Sequence, residues 1–334
     1  MAHKVTLLAG ESGESTNHVD EVLRVLAATG VRIDWERHEL RGHEITEAFV
    51  DSALKTRRVL MPWLHGRRHE RRPAPIIQAR RALNAYVNVR PVSSLPKVGE
   101  RFQNVDVIVV REVTEDVYTS LEHETIQGIF EGLKVTTEQA CERVARHAFE
   151  LAKNLGRKRV TIVHKSNIMK KSDGLFLRTC QRVAEEYPEI TCDERIVDAL
   201  CMQLTMYPER FDILVCANLF GDIVADLASG LVGAKANCPS MNIGEDDVRI
   251  YSVGHGDMLD IANSDAGNPM SLLLSGVRLL QDIGETDAAT RLKNGLFQCL
   301  ESGRLPLALD GEETLVSFCD AVIQAIQQQP ERAS

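Results

Sequence analysis

The stretch FDILVCANLFGDIVADLASGL, residues 211–231, decides the fold. Its apolar start, residues 211–216, predicts a buried strand, and residues 222–231 have the spacing of a helix that follows this strand closely. A buried strand that leads into a helix is the building unit of a parallel α/β sheet. Ligands bind such sheets at the carboxyl ends of the strands, so the polar residues of this stretch are predicted to face a binding site.

The same alternation of strand and helix patterns runs along the chain. Further strands are predicted at residues 5–9, 59–61, 105–110, 160–163 and 249–253, and further helices at 18–29, 136–155, 174–187, 269–282 and 314–328. Thr136 or Thr137 is the predicted N-cap of the helix at 136–155, and Gly156 is its predicted end. The pattern predicts an α/β fold with a mostly parallel sheet. No GxGxxG follows a strand, so an ordinary Rossmann site is not expected.

Composition narrows the class of protein. The chain has 334 residues, more than one hydrophobic core usually holds, which predicts two domains or one large bilobal unit. The net charge of −9 argues against general binding to nucleic acid or to an anionic membrane. The eight cysteines form no CxxC pair, as expected of single thiols in a reducing compartment. There is no signal pattern and no apolar run of about 18 residues, so we expect a cytoplasmic protein, with a mature organellar protein as the alternative.

Two aspartates stand four residues apart in the deciding stretch, Asp222 and Asp226. They share one helix face, where like charges repel unless a cation lies in front of them. Spacing alone favours two solvated carboxylates, but their position after a buried strand favours a divalent metal site. Lys165 directly follows another predicted strand and is a candidate proton carrier, with a surface lysine as the alternative interpretation.

A set of arginines is the second chemical feature. Arg80, Arg90 and Arg111 are candidates for binding carboxylates, because a planar guanidinium donates two parallel hydrogen bonds to a carboxylate. Tyr118 lies seven residues after Arg111 and is a candidate acid. The segment HGRRHERRP, residues 65–73, is interpreted either as a solvated loop or as an anion-facing loop beside the active site.

Several long motifs together resemble the isocitrate/isopropylmalate dehydrogenase family of β-decarboxylating enzymes. They are YVNVRP, REVTEDVY, VHKSNIMKKSDGLF, the stretch at 211–233, MNIG, and HG followed by NP. The middle of the chain looks most like NAD-linked isocitrate dehydrogenases. The resemblance implies a two-domain isopropylmalate dehydrogenase-like fold, with residues 1–87 and 236–334 as a large cofactor-binding domain. Residues 88–235 would form a small domain that carries the metal-binding, catalytic and dimer-interface residues.

The resemblance also implies a shared active site in a homodimer. Asp222 and Asp226 would bind Mg²⁺ or Mn²⁺, joined by Asp198 of a second subunit. Lys165, also from the second subunit, would take the proton of the substrate hydroxyl. Tyr118 would protonate the enolate after CO₂ leaves. One base and one acid are what this reaction sequence needs.

The implied substrate is a malate-type 2-hydroxy acid. Arg80, Arg90 and Arg111 would bind its two carboxylates, and Asn167 would lie near the substrate and the nicotinamide. The apolar Ile76, four residues before Arg80, resembles the isopropylmalate enzymes more than the isocitrate enzymes. The substituent on the malate stays open: isopropylmalate, isocitrate, malate and tartrate are all candidates.

NAD is the cofactor that the resemblance implies. Its contacts would come from His255, Gly256, Asp260, Ile261 and Asn268. An acid at position 260 accepts hydrogen bonds from ribose hydroxyls and repels a 2′-phosphate, which favours NAD over NADP. Asp257, Met258 and Leu259 depart from the family's small-residue turn. Two alternatives therefore stay open: a non-catalytic regulatory subunit, and a diverged member that acts without net redox.

Overall fold

The computed structural model describes residues 2–10, 16–62, 64, 73–99, 102–233, 237–253 and 267–329. The strands in these ranges are β1 His3–Ala9, β2 Ile33–Glu39, β3 Arg58–Met61, β4 Ala85–Ser93, β5 Asp106–Glu112, β6 Glu122–Ile126, β7 Ile129–Gly132, β8 Arg159–His164, β9 Thr191–Ile196, β10 Ile213–Cys216, β11 Pro239–Gly244 and β12 Arg249–Val253. The helices are α1 Thr16–Ala28, α2 Glu47–Thr56, α3 Pro75–Ala82, α4 Glu138–Leu155, α5 Ser172–Ala184, α6 Val197–Met206, α7 Asn218–Leu231, α8 Met270–Asp282, α9 Thr286–Glu301 and α10 Leu315–Gln327.

The chain divides into two compact units, and the first comprises Met1–Asn84, Ser94–Gln103 and Val232–Ser334. Its strands follow the order β2-β1-β3-β12-β11. Neighbouring strands are parallel except β11 and β12, which are antiparallel. An apolar cluster that includes Phe49 and Ile76 joins strands β1, β3 and β12 to helices α2 and α3.

The second unit comprises Ala85–Ser93 and Asn104–Leu231. Its strands follow the order β4-β5-β10-β8-β9, parallel except for the antiparallel pair β4 and β5. Every residue of β10 is buried, as are all but the first of β5. Since β5, β8 and β10 are parallel, their carboxyl ends meet at one edge, where Arg111, Lys165 and Asn218 lie.

Helix α4 shows how local sequence signals fix an element. The Thr137 side chain accepts a hydrogen bond from the backbone of Ala140, and Gly156 ends the helix in the left-handed region with a φ of 67°. Both are the predicted capping residues, and each satisfies backbone groups that a helix end leaves free. The predicted N-cap Thr137 and stop Gly156 are confirmed.

The predicted α/β class is confirmed, with corrections to individual elements. Strand β5 runs to Glu112, so Arg111 lies inside the strand and does not follow it. The structure also contains an exposed hairpin, β6 and β7, that the sequence did not predict. The units divide near residues 84 and 231, Ser94–Gln103 joins the first unit, and the predicted domains and their roles stay predictions. Among the described helices, none is long and apolar enough to cross a membrane.

Candidate active site

Arg111 is the buried centre of the site. It is 4% exposed, and its Nε and Nη2 donate to Oδ1 of Asn218 at 3.0 and 2.8 Å. Its Nη1 donates to Asp222, and its guanidinium lies 5.0 Å from the ring centroid of Tyr118. Arg111 comes from β5 and the aspartate and asparagine from α7, so the guanidinium joins the strand to the helix.

Gly221 lets Arg111 approach helix α7. A Cβ placed on this glycine would lie 2.5 Å from Cγ and 2.7 Å from Cβ of Arg111, closer than van der Waals contact allows. Glycine in a helix interior costs stability relative to alanine. The glycine is therefore explained by the close packing of the arginine stem.

Arg90 pairs with the second aspartate of α7. Its Nη1 lies 3.0 Å from Oδ1 of Asp226, and the residue is 6% exposed. Its Nε is buried and has no hydrogen-bond partner within the part of the chain that the structure describes. Each aspartate of α7 thus has its own arginine, which offsets the repulsion between carboxylates four residues apart. We call Arg90, Arg111, Tyr118, Asp222 and Asp226 the α7 cluster.

Tyr118 completes this cluster. It stands in the short 3-10 turn Val117–Thr119, and its hydroxyl donates to Oδ2 of Asp222. Burial, reinforced by this hydrogen bond to a carboxylate, raises the pKa of Tyr118 to about 12. The phenol is protonated at neutral pH, as a proton donor must be before it acts.

Lys165 and Asp198 form a separate pair. Nζ of Lys165 lies 2.5 Å from Oδ1 of Asp198, and the two side chains contact each other. The hydrogen bond from Lys165 lowers the pKa of the Asp198 carboxyl. The Asp198 side chain is 69% exposed, and Asn167 is exposed in the turn after β8. We call Lys165 and Asp198 together the Lys165–Asp198 pair.

The three predicted metal ligands do not meet within one chain. In the described ranges, no group of three or more His, Cys, Asp or Glu side chains lies close enough to hold a metal ion. Asp222 and Asp226 share the α7 cluster, whereas Asp198 lies in the other pair. The predicted contribution of Asp198 from a second subunit stays a prediction.

Two predicted substrate residues lie in the first unit. Nε of Arg80, on α3, donates to Oδ1 of Asn242 at 2.7 Å. Ile76, one turn earlier, is 8% exposed and belongs to the apolar cluster of that unit. Packing accounts for Ile76, and its predicted contact with substrate stays a prediction.

The predicted cofactor segment is described only at its end. His255, Gly256, Asp260 and Ile261 lie outside the described residues, as does nearly all of the arginine-rich segment 65–73. Asn268 is described: its Nδ2 donates to Oδ1 of Asn237 at 3.0 Å, and its Oδ1 accepts from the backbone of Met270 at 3.0 Å. The side chain therefore stabilises the start of α8.

Sequence reasoning missed Asn218 and Gly221 as site residues, although both stand in the deciding stretch. Asn218 is 1% exposed, accepts both hydrogen bonds from Arg111, and donates to the carbonyl of Glu115 at 2.9 Å. A polar residue at the junction of a buried strand and a helix is the signal that marks it. Gly221 left a weaker signal, a glycine inside a predicted helix.

Comparisons with known proteins identify the family of the chain. The family model of isocitrate/isopropylmalate dehydrogenase matches residues 4–326. The catalytic subunit 5 of mitochondrial NAD isocitrate dehydrogenase from Arabidopsis thaliana is 41% identical over 331 residues, covering 95% of this chain and 87% of the relative. The chloroplastic 3-isopropylmalate dehydrogenase of Solanum tuberosum is 39% identical over 316 residues, covering 91% of this chain and 87% of the relative.

A solved structure extends the likeness to three dimensions. The crystal structure of isocitrate dehydrogenase from Methylococcus capsulatus superposes with a TM-score of 0.91 at 35% identity, covering 98% of this chain and all of that one. The fold and the enzyme class predicted from the motifs, a dehydrogenase, are confirmed. The chain belongs to the isocitrate/isopropylmalate dehydrogenase family.

Proposed function

We propose that this chain catalyses the metal-dependent, NAD-linked oxidative decarboxylation of a malate-type 2-hydroxy acid, as a homodimer with shared active sites. The observation that carries the proposal is the α7 cluster: two buried arginines, two carboxylates on one helix face and a tyrosine held protonated. Arginines bind the carboxylates of a dicarboxylic acid, and aspartates bind a divalent metal ion. A protonated tyrosine can donate a proton to an enolate.

The donor set fits Mg²⁺ or Mn²⁺. Asp222 and Asp226 offer carboxylate oxygens, the ligands that these hard cations prefer, and Asp198 of a second copy would add another. When bound, the metal ion lowers the pKa of the substrate hydroxyl and stabilises negative charge that develops on this oxygen. In this structure Arg111 and Arg90 neutralise the charges of the two carboxylates. Each guanidinium has further N–H groups that can donate hydrogen bonds.

The arginines bind and orient the substrate. Nε of Arg90 is a buried donor without a hydrogen-bond partner in the described ranges, so a substrate carboxylate that accepts from it removes an unsatisfied group. Arg111 is fixed on two sides by Asn218 and Asp222. Such an arginine loses little conformational freedom on binding, and this favours a defined pose for the acid.

Two residues move protons. Lys165 of the second copy would accept the hydroxyl proton, and the carbon-bound hydrogen would pass as a hydride to bound NAD, which would leave a ketone β to a carboxylate. The bond to this carboxylate then breaks, and its electron pair forms the enolate as CO₂ leaves. Tyr118, protonated at neutral pH, donates the proton that converts the enolate to the product ketone.

Exposed apolar side chains on the elements that carry the α7 cluster and the Lys165–Asp198 pair support the homodimer. Ile168 is 70% exposed, Met202 56% and Met206 54%, and Ile223 of α7 is 50% exposed. Large apolar side chains grouped on a surface are typical of a subunit interface. A second copy that covers them would bring the pair to the active site it serves.

A substrate panel tests the proposal. Isopropylmalate, isocitrate, malate and tartrate are each incubated with NAD or NADP, with and without Mg²⁺ or Mn²⁺, and reduced nicotinamide and CO₂ are measured together. We expect equal amounts of both products with one acid, NAD and metal. Failure with every acid contradicts the proposal and favours a regulatory subunit, and CO₂ without added nicotinamide favours a member that acts without net redox.

A further inference from the structure

A buried aspartate next to the catalytic tyrosine has an unusual backbone. Asp116 has a φ of 72° and a ψ of −153°, a region in which residues other than glycine are strained, and it is 2% exposed. Its Oδ1 accepts from the backbone of Val117 at 2.8 Å, and its Oδ2 accepts from the backbone of Leu219 at 3.0 Å. One carboxylate therefore holds both the turn that carries Tyr118 and the first turn of α7.

Lys134 connects this aspartate to a second one. Its Nζ lies 2.9 Å from Oδ1 of Asp116 and 3.4 Å from Oδ1 of Asp173, and it lies 5.5 Å from the ring centroid of Phe220. The lysine side chain is 15% exposed and the two carboxylates 3% and 2%. One ammonium between two carboxylates forms a triad almost free of solvent.

Asp173 extends the triad to the turn that bears the proposed base. Its Oδ2 accepts from the backbone N–H of Lys165 at 2.7 Å, and this N–H directly follows β8. The triad thus touches three segments: the 3-10 turn of Tyr118, the start of α7 and the turn of Lys165. Each segment carries residues of the proposed reaction.

We propose that Lys134, with Asp116 and Asp173, is a positioning residue that fixes the Tyr118 turn relative to the Lys165 turn. The proposal rests on the proposed function. Buried ion pairs are weak contributors to stability, because desolvation offsets their attraction. A strained, fully buried carboxylate is therefore better explained by the geometry that it imposes.

The triad has a consequence for the dimer. If Lys165 serves the active site of the second copy, the three charges link the acid of one active site to the base of the other. Loss of the Lys134 ammonium would let the Lys165 turn shift relative to the Tyr118 turn, while Asp116 keeps its own hydrogen bond to the first turn of α7, so Arg90, Arg111, Asp222 and Asp226 stay in place. The expected signature is a loss of kcat with little change in binding.

The first test removes the ammonium and keeps the shape of the side chain. Lys134→Met is expected to lower kcat about 10- to 100-fold, since a misplacement of about 1 Å can cost this much. The KM of the acid and the dissociation constant of Mn²⁺, followed by electron paramagnetic resonance without turnover, should stay within about threefold. Lys134→Arg, which keeps the charge, should recover part of kcat. Lys153→Met, at a side chain that is 65% exposed, is the matched control and should match wild type.

The second test covers the case in which Lys134→Met does not fold. Asp116→Gly removes the carboxylate and the strain together, because glycine adopts this φ freely, and it leaves the Lys134–Asp173 ion pair. We expect a midpoint of thermal unfolding close to that of wild type. The kcat should be about one tenth of the wild-type value or lower.

The outcomes separate the two proposals. An inactive wild type contradicts the proposed function itself. An active wild type with kcat within twofold in both triad variants overturns the positioning role. Parallel losses of kcat, substrate affinity and thermal stability, without recovery in Lys134→Arg, also overturn it, because these are the signs of a merely structural cluster.

Discussion

The α7 cluster and the Lys165–Asp198 pair are both sets of charged residues, but they differ in how the chain holds them. Arg90 and Arg111 are 6% and 4% exposed, and each is fixed by partners from α7. The carboxylate of Asp198 is 69% exposed and pairs with the side chain of Lys165. This difference is what the proposed shared site requires, in which the chain would preform one half of an active site and present the other half to a second copy.

The largest expected effect compares one aspartate from each set. Asp222→Asn leaves the buried guanidinium of Arg111 without its anion, and we expect a loss of about 2–3 kcal/mol in the free energy of unfolding. Asp198→Asn breaks a pair whose carboxylate is exposed, so its loss in the free energy of unfolding should be much smaller than that of Asp222→Asn. Urea unfolding without divalent metal measures both. Equal losses would contradict the difference between the two sets.

An intermediate effect is expected at two glycines of α7. In Gly221→Ala the new methyl group collides with Arg111, and we expect a loss of about 1–3 kcal/mol together with a higher KM for the acid. Gly230→Ala is the matched control, because nothing lies within 4 Å of its added Cβ. This control should gain up to about 1 kcal/mol from helix propensity. Urea unfolding measures the change in stability, and steady-state kinetics measure the KM. A Gly221→Ala variant that is more stable than wild type and has a normal KM would contradict the packing account.

The smallest effect is a pH dependence at Tyr118. The unfolded chain loses this phenolic proton near the ordinary pKa of 10.0, and the folded chain near a pKa of about 12. Stability from this group is therefore constant below pH 10 and falls as the pH rises toward 12. Relative to wild type, Tyr118→Phe should gain stability over this window and not below it. A constant difference in the free energy of unfolding across the window would contradict the raised pKa.

Sequence reasoning found the elements whose signals are local. Strand β12, Arg249–Val253, has the predicted bounds because it is a short apolar run with clear limits. The hairpin of β6 and β7 gave no such signal, because all its residues are exposed and no apolar alternation exists. Helix α9, Thr286–Glu301, was also missed, although its buried positions recur at helical spacing.

The residues of the site also divide into those that have a local sequence signal and those that do not. The motifs supplied Arg111, Tyr118 and Asp222, and the structure brings these residues together. The contacts of Lys134 and Asn218 join residues far apart in the chain, and no periodicity or spacing encodes such pairs. The same holds for Gly221, whose necessity follows from a side chain on another element. Contacts of this kind arise only when the tertiary fold brings distant segments of the chain together.

The most direct test of the shared active site mixes two inactive variants. Lys165→Met lacks the proposed base, Tyr118→Phe lacks the proposed acid, and each alone should lose about 10²- to 10⁴-fold in kcat. The two are unfolded together, refolded as a mixture and assayed with the active acid, NAD and Mn²⁺. In a mixed dimer, one active site combines the intact tyrosine of one copy with the intact lysine of the other.

The two arrangements of the active site predict different activities for this mixture. Random pairing makes half of the dimers mixed, with one intact site in each, so the account predicts about a quarter of wild-type activity. If Lys165 serves its own chain, every site in every dimer lacks the base or the acid. Activity that stays at the level of the separate variants would contradict the shared site.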